Sequence, residues 1–255
     1  MTVEQPYTQP ASATSSRART VLIVAIALLL ALLMGLVVVF YNLLKPAGLP
    51  VSAGTTADEM TWVRSMYGFG PATDEQLYAP VSVAIAPNGD IWATDQTRSR
   101  IMVFRSDGTF RRLVHTGGGG TGKGQLARPE SIAFDPDGNA WVADTQGGKV
   151  IAFSQNGRVV KELPAETQAR GVAVDAEHVY ILDLGKVLVY DRATGKKLTS
   201  FGARGTAPGQ IDAYQGIVAK DGVIYVADSF NKRIQAFETD GKLLWTVPGG
   251  TASRG

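Results

Sequence analysis

The hydrophobic and polar positions divide the chain into a polar start, one long apolar run and a longer region of short alternating runs. Residues 1–20 are rich in Ser, Thr, Pro and Gln, which predicts a disordered tail. Residues 21–40 contain no charged side chain. A helix of about 20 residues spans about 30 Å, the hydrocarbon thickness of a bilayer. We therefore expect one transmembrane helix over residues 21–44 and a Pro- and Gly-containing linker over residues 45–60.

A cleaved signal peptide is the alternative interpretation of this run, although its apolar region is usually only about 7–15 residues long. The flanking charges give an orientation, because Arg17 and Arg19 precede the run and only Lys45 follows it closely. By the positive-inside rule, the N-terminus is then cytoplasmic and the remainder of the chain is extracytoplasmic.

From residue 61 onward the chain repeats itself. Four segments align, each closing on an aspartate, and they read SVAIAPNGDIWATD, SIAFDPDGNAWVAD, GVAVDAEHVYILD and GIVAKDGVIYVAD. The closing aspartates are Asp95, Asp144, Asp183 and Asp228. Three residues before each stands an aromatic residue, and a second apolar run follows that ends in Phe104, Phe153, Tyr190 or Phe237. Bulky residues alternate with small ones in the first run of each segment, as expected for strands stacked between two neighbouring sheets.

Turn signals separate four short strands in each unit. Pairs such as Asn88-Gly89 and Asp137-Gly138 join the first two strands, and pairs such as Asp107-Gly108 and Asn156-Gly157 join the last two. These pairs tolerate the positive φ that tight hairpins require. Four-stranded units of about 40–50 residues are typical of the blades of a β-propeller. The sequence therefore predicts an all-β fold of four-stranded antiparallel blades after one transmembrane helix.

The segments P-x-x-I-A-F-D-P-D-G-N-A-W-V-A-D and V-A-D-S-F-N-K-R-I-Q-A-F resemble the NHL repeat. This resemblance covers about residues 61–250, is weaker in the third unit, and implies a six-bladed propeller of the TolB-like type in a membrane-anchored bacterial protein. Residues 62–67 resemble the last strand of a blade and are predicted to close the ring. Because only about four blades are present, we expect the propeller of residues 61–255 to be incomplete at its C-terminus. Closure with four blades and pairing with another chain are the alternatives.

Composition limits the chemistry. The chain has no Cys and two His, and its formal net charge is +2. Thiolate zinc sites and cysteine nucleophiles are excluded, and nothing indicates binding to nucleic acid.

The Gly-rich segment 117–124 nearly matches the phosphate-binding loop motif, but it has Gly124 where Ser or Thr is required. It also matches a connection between blades. The repeated aspartates are predicted to bind backbone amides at strand ends rather than to act as catalytic acids. Segment 135–139 is predicted to be a hairpin turn rather than a calcium loop.

Propellers usually bind ligands through the loops between strands two and three and between blades. These loops predict a basic face with some aromatic residues, formed by Tyr78, Arg98, Arg100, Arg128, Gln146, Arg170, Lys186, Tyr214, Asn231, Lys232 and Arg233. An ordinary solvated rim is the alternative interpretation of the same residues. We predict no catalytic residue, metal ligand or cofactor.

These observations favour a non-catalytic binding or scaffold module outside the membrane, with a protein, an acidic peptide or an anionic envelope glycan as its partner. The alternatives are a metal-dependent hydrolase or lyase of the lactonase-like type, with its site in the central channel, and a structural subunit of an envelope complex.

Overall fold

The computed structural model describes residues 21–26, 28–30, 32–36, 65–114, 119–214 and 216–248. The chain divides into two compact units, Met1–Val63 and Arg64–Gly255. In the first unit, the described residues are helical. Among them, no helix is both long and apolar enough to cross a membrane. The predicted tail (1–20), the end of the predicted span (37–44) and the predicted linker (45–60) lie outside the described residues.

The described part of the second unit contains sixteen strands in four antiparallel sheets, after a short 3-10 helix at Thr73–Glu75. Sheet 1 consists of β1 (Pro80–Ile85), β2 (Ile91–Asp95), β3 (Arg100–Phe104) and β4 (Phe110–Val114). Sheet 2 consists of β5 (Pro129–Phe134), β6 (Ala140–Asp144), β7 (Lys149–Phe153) and β8 (Val159–Pro164). Sheet 3 consists of β9 (Ala169–Val174), β10 (His178–Asp183), β11 (Lys186–Asp191) and β12 (Lys197–Phe201). Sheet 4 consists of β13 (Ile217–Lys220), β14 (Val223–Asp228), β15 (Arg233–Glu238) and β16 (Leu243–Pro248).

Each sheet is a simple meander in which every strand pairs with the next one along the chain. The first strands of successive sheets lie side by side. Ser82 of β1 accepts a hydrogen bond from the Ile132 amide of β5 (3.3 Å), and Ser131 of β5 accepts one from the Val172 amide of β9 (3.2 Å). Meanders stacked in this way, with their first strands together, are the blades of a β-propeller. The predicted all-β fold and the four predicted units are confirmed.

The turns adopt the geometry that their residues predict. Gly89, Gly138, Gly108 and Gly157 all have φ between 78° and 84°. In the two-residue turn between β13 and β14, Asp221 and Gly222 both have positive φ (52° and 77°), as a turn of the I′ type requires. The segment 135–139 is the turn between β5 and β6, closed by a hydrogen bond from the Gly138 amide to the Asp135 carbonyl (3.0 Å). The hairpin prediction for this segment is therefore confirmed.

Most of the repeated aromatic residues pack in the cores between the sheets. Trp92 and Phe153 pack between sheets 1 and 2, and Tyr180 and Phe237 pack between sheets 3 and 4. Phe201 contacts Phe237 with ring centroids 5.0 Å apart. Burying such a side chain stabilises the fold by about 1.5–3 kcal/mol, so the stacking of each sheet on the next is the main source of stability. These contacts set the inner strands side by side and fix the positions of the loops at their ends.

Residues 65–67, predicted as part of a closing strand, are not in a strand, and residues 62–64 lie outside the described region. Gly68 instead forms an isolated bridge with Gln76, and Phe69 contacts Phe110 of sheet 1 (ring centroids 4.5 Å apart). Ring closure and the number of blades therefore stay predictions.

Candidate binding face

The repeated aspartates stand at the loop between the second and third strands, and each binds the connection that enters the same sheet. All four carboxylates are fully buried. Asp144 accepts hydrogen bonds from the amides of Ala127 (2.9 Å) and Arg128 (2.6 Å), and Asp183 accepts them from the amides of residues 166–168 (2.7–2.9 Å). The prediction that these aspartates bind backbone amides is confirmed. As a result, the loops that supply the predicted site residues lie at one edge of each sheet.

Two of the predicted site residues, Arg100 and Arg233, occupy equivalent positions in their blades and point inward. Arg100 pairs with Asp95 (3.1 Å), and its other nitrogens donate to the carbonyls of Asp74 and Gln76 (2.7 Å each). Arg233 pairs with Asp228 (2.7 Å). It also donates to the carbonyls of Thr206, Ala207 and Gln210 (2.7–2.8 Å). Both guanidinium groups therefore bind the incoming connection and present little surface to a ligand.

The Gly-rich segment is one of these connections. Its described part, residues 119–124, runs through Gln125 to β5 without an intervening helix. Lys149 of β7, which stands where blades 1 and 4 have Arg100 and Arg233, donates to the Gly122 carbonyl (2.5 Å). The segment therefore binds the third strand of its own blade, as predicted for a connection between blades.

Two arginines of the predicted site, Arg98 in the loop after β2 and Arg170 near the start of β9, are partly exposed, and each lies against a tyrosine of a connecting loop. The Arg98 guanidinium lies 5.1 Å from the ring centroid of Tyr78, and that of Arg170 lies 4.4 Å from that of Tyr214. Tyr78 is 68% exposed and Tyr214 is 39% exposed. Among the described residues, no carboxylate lies within salt-bridge distance of Arg98 or Arg170. Each pair joins a cation to a flat apolar surface, a combination that suits an anionic or planar ligand group.

A third predicted residue, Arg128, pairs with a glutamate that sequence reasoning missed. Arg128 Nε lies 3.0 Å from Glu130 Oε1, which also accepts a hydrogen bond from Gln96 (3.0 Å). Glu130 is 1% exposed, and its Oε2 has no hydrogen-bond partner. The sequence signal that could have identified Glu130 is a charged residue inside the otherwise apolar first-strand pattern of this unit. Its burial depends on Gln96, which is 34 residues away in the sequence.

The remaining predicted residues are dispersed along the loops. Gln146 and Lys232 are exposed. Asn231 donates to Asp228 (2.9 Å) and to the Gly205 carbonyl (2.8 Å), so its amide is used inside its own blade. Lys186 binds Glu166, and the hydrogen bonds of Glu166 with Lys186 and Lys197 lower the pKa of Glu166 to about 2. The charge of Lys186 is therefore already matched.

A groove runs along the inner strands beside this face. Its volume is about 610 Å³, and its lining is mostly apolar, with residues such as Val81, Val172, Ile217 and Ile234. Glu130 is the charged residue among the described residues that line it. The size is that of an ordinary small-molecule or side-chain pocket.

Within the described region, no group of three or more His, Cys, Asp or Glu side chains is placed to hold a metal ion. His178 lies at the start of β10, at the other end of the sheet from the loops of this face, with Nδ1 3.5 Å from Asp175. His115 lies outside the described residues.

A family model described as outer membrane protein assembly factor BamB matches residues 146–254, less than half of the chain. No curated protein matches the chain significantly. Among solved structures, a catalytically inactive virginiamycin B lyase from Staphylococcus aureus with quinupristin is 14% identical (TM-score 0.51) over 66% of this chain and 55% of that chain. A protein of unknown function from Desulfotomaculum acetoxidans is 21% identical (TM-score 0.52) over 68% and 58%, respectively. A hydrazine synthase from Kuenenia stuttgartiensis is 14% identical (TM-score 0.51) over 73% and 52%.

The chain thus spans about half the length of the solved structures it matches. At these identities the likeness concerns the fold alone. The comparisons and the four stacked sheets together support a propeller protein with BamB-like repeats.

Proposed function

We propose that this chain is a membrane-anchored, extracytoplasmic propeller of the NHL-like, six-bladed type that acts as a non-catalytic binding module. Its ligand is an acidic segment of a protein or peptide, or an anionic envelope glycan. The observation that carries the proposal is the pair of accessible arginine–tyrosine stacks, Arg98 on Tyr78 and Arg170 on Tyr214, at the loop ends of the blades.

The two stacks support binding of an anion for a physical reason. Holding a guanidinium over an aromatic ring fixes its direction, so less side-chain entropy is lost when an anion binds. Arg98 donates to the Gln76 carbonyl and Arg170 to the Gln168 side chain (2.6 Å each), and among the described residues no carboxylate pairs with either arginine, so neither charge is neutralised. Two other cations of the face, Lys186 and Arg128, already pair with glutamates.

The membrane anchor is part of the proposal and rests on the uncharged run of residues 21–40 and on the arginines before it. The family model that matches residues 146–254 is described as an outer membrane protein assembly factor, which is in line with a role in the cell envelope.

The proposal is tested with the full chain in lipid nanodiscs and a fluorescein-labelled hexaglutamate, with binding followed by fluorescence anisotropy. We expect saturable binding that weakens as the salt concentration rises, since exposed charge pairs are screened. The double substitution Arg98→Gln and Arg170→Gln should weaken binding about tenfold or more, as expected for the loss of two charge-assisted contacts. The matched control is Arg158→Gln, an exposed arginine in the turn between β7 and β8. Equal binding by the double variant and the control would exclude the face as the site.

A further inference from the structure

The aromatic residue three places before each closing aspartate forms a contact between sheets in the first three blades. Trp92 packs in the core between sheets 1 and 2, Trp141 in the core between sheets 2 and 3, and Tyr180 in the core between sheets 3 and 4. The equivalent residue of sheet 4 is Tyr225, which contacts Trp245 with ring centroids 5.9 Å apart. The pattern that joins one sheet to the next therefore continues on the face of sheet 4 that points away from sheet 3.

This outward face of sheet 4 is apolar and exposed in the described part of the chain. Ile217 and Ile224 pack on sheet 3, so their neighbours along the strands, such as Val218 and Tyr225, point away from it. Four outward apolar side chains are 44–59% exposed, namely Val218, Ile234, Trp245 and Val247. A contiguous apolar patch of this kind is typical of a surface that contacts another protein.

The corresponding free end of sheet 1 is already covered, which argues against a head-to-tail chain of copies. Met102 and Phe104 of β3 point away from sheet 2, and Met66 and Leu77 pack against them. Sheet 4 of one copy therefore finds no open face of sheet 1 in another copy on which to continue the repeat. Its own equivalent in a second copy is open, and such an isologous contact closes at two subunits.

The charges at one end of the outward face are self-complementary. The strand register places Lys220, Val223 and Glu238 in one row across β13, β14 and β15. Ala219 and Phe237 pack on sheet 3, so the neighbouring Lys220 and Glu238 point outward. A twofold axis parallel to β14 sets Lys220 of each copy opposite Glu238 of the other, whereas an axis across the strands would set both charges on apolar side chains. Opposite charges at facing positions fix the orientation of such a contact.

We propose that two copies of this chain associate through the outward faces of sheet 4, with Lys220 and Glu238 paired across the twofold axis. This inference is independent of the proposed ligand-binding function. Four strands about 4.8 Å apart form a face of about 20 Å by 20 Å, so two such faces bury on the order of 800 Å². That area is below the standard size of stable interfaces, so the dimer is reversible and dissociates at concentrations of about 1 µM.

The test uses the full chain in detergent and sedimentation velocity between about 1 µM and about 100 µM, the range in which a contact of this size dissociates. Wild-type protein should sediment as a monomer at the lower end and as a dimer at the upper end. Lys220→Glu and Glu238→Lys should each weaken dimerisation about tenfold, because each sets like charges opposite one another. The double variant restores both pairs and should dimerise as the wild type does. Lys123→Glu, at an exposed lysine in the connection before β5, is the matched control and should leave dimerisation unchanged.

The double variant also separates the contact between copies from one within a copy. Glu238 pairs with Lys242 of its own hairpin (2.9 Å), and this pair stays broken when Lys220→Glu is combined with Glu238→Lys. Recovery of the dimer in the double variant therefore reports the pairing across the axis alone.

A second measurement does not depend on charge. The chain has no Cys, so a single introduced cysteine can be crosslinked only to its equivalent in a second copy. Val223→Cys, near the axis, should be crosslinked by a bismaleimide that spans about 10 Å, the spacing of packed sheets. Val160→Cys, at an exposed position of β8 in sheet 2, should not.

Monomeric protein at the upper end of the concentration range would overturn the inference. Dimers that Lys220→Glu leaves intact would overturn it as well, since another surface would then form the contact. In nanodiscs, quenching of tryptophan fluorescence by brominated lipid that Trp245→Phe removes would assign the face to the membrane surface instead.

Discussion

At the scale of single residues, the most constrained side chain outside the binding face is Asp135, at the other end of sheet 2. It is 2% exposed and accepts hydrogen bonds from the Trp141 indole (2.9 Å) and the Asn139 amide (2.8 Å). Arg192 of the next blade lies 3.2 Å from the same carboxylate. Blade 1 has Ala86 at the equivalent position, and there the Trp92 indole nitrogen is buried without a partner. One carboxylate thus both completes its own turn and joins two blades.

We expect Asp135→Ala to lower the free energy of unfolding by about 2–3 kcal/mol, because it leaves the Trp141 indole and the Asn139 amide unpaired. Asp137→Ala is the matched control in the same turn. Its exposed carboxylate pairs with Arg192 (2.5 Å), so the loss should stay below about 1 kcal/mol. Urea unfolding of the full chain in detergent, followed by tryptophan fluorescence, measures both. Equal losses would show that Asp135 acts only through Arg192.

The same carboxylate gives a pH dependence. Burial raises the pKa of Asp135, but the hydrogen bonds from Trp141 and Asn139 and the charge of Arg192 outweigh it, so the pKa lies below 3.8 in the folded chain. As the pH falls, the unfolded chain therefore binds this proton first, and the stabilisation is lost at acid pH. We expect the melting temperature to fall as the pH drops below about 4, and to fall less in Asp135→Asn. Thermal unfolding at pH 6, 4 and 3 measures this. An equal fall in the variant would contradict the assignment.

At the scale of elements, a basic residue of the third strand binds the connection that enters its own sheet, and this arrangement recurs from blade to blade. Arg233 reaches three carbonyls of segment 206–210 and the buried Asp228, whereas Lys149 of blade 2 uses one ammonium group to bind the Gly122 carbonyl and Glu162. The planar guanidinium binds several acceptors in fixed directions, which an ammonium group cannot match.

Arg233→Met should therefore cost about 3–5 kcal/mol, since it leaves the buried Asp228 charge uncompensated. Arg233→Lys keeps a cation at this position of the strand and should cost less than half as much. Arg158→Met, at an exposed turn, is the control and should change stability by less than about 0.5 kcal/mol. Amide hydrogen exchange should also rise in segment 202–214 of the methionine variant. Unchanged protection there would mean that the connection is held by its other contacts.

At the scale of the whole molecule, the sequence pattern predicts what is local and repeated, and it misses what is distant and unique. Aspartates, aromatic residues and Asp-Gly pairs at fixed offsets suffice to predict four sheets, their strands and their turns. The inward role of Arg100 and Arg233 was missed, because a basic residue in a loop looks the same whether it faces solvent or backbone carbonyls. The burial of Glu130 was missed because its partner Gln96 belongs to another blade. The contact between Arg192 and Asp135 spans 57 residues and has no local signal.

The repeat also allows equivalent positions of sheets 3 and 4 to be compared within one chain. Val187 of β11 and Ile234 of β15 occupy the same register, opposite Phe201 and Val247, respectively. Val187 is fully buried beneath sheet 4, whereas Ile234 is 47% exposed on the outer face of sheet 4. The two positions share strand context and differ in whether a further sheet covers them.

We expect Val187→Asp to unfold the propeller or to cost more than about 4 kcal/mol, because it buries an unpaired carboxylate between sheets. Ile234→Asp should cost about 1 kcal/mol or less, since its carboxylate remains hydrated. Urea unfolding of the two variants, with sedimentation velocity to follow the state of association, provides the comparison. If Ile234→Asp were as damaging as Val187→Asp, the outer face of sheet 4 would have to be covered in solution, and a concentration-dependent loss of stability would then identify a second copy of the chain as the cover.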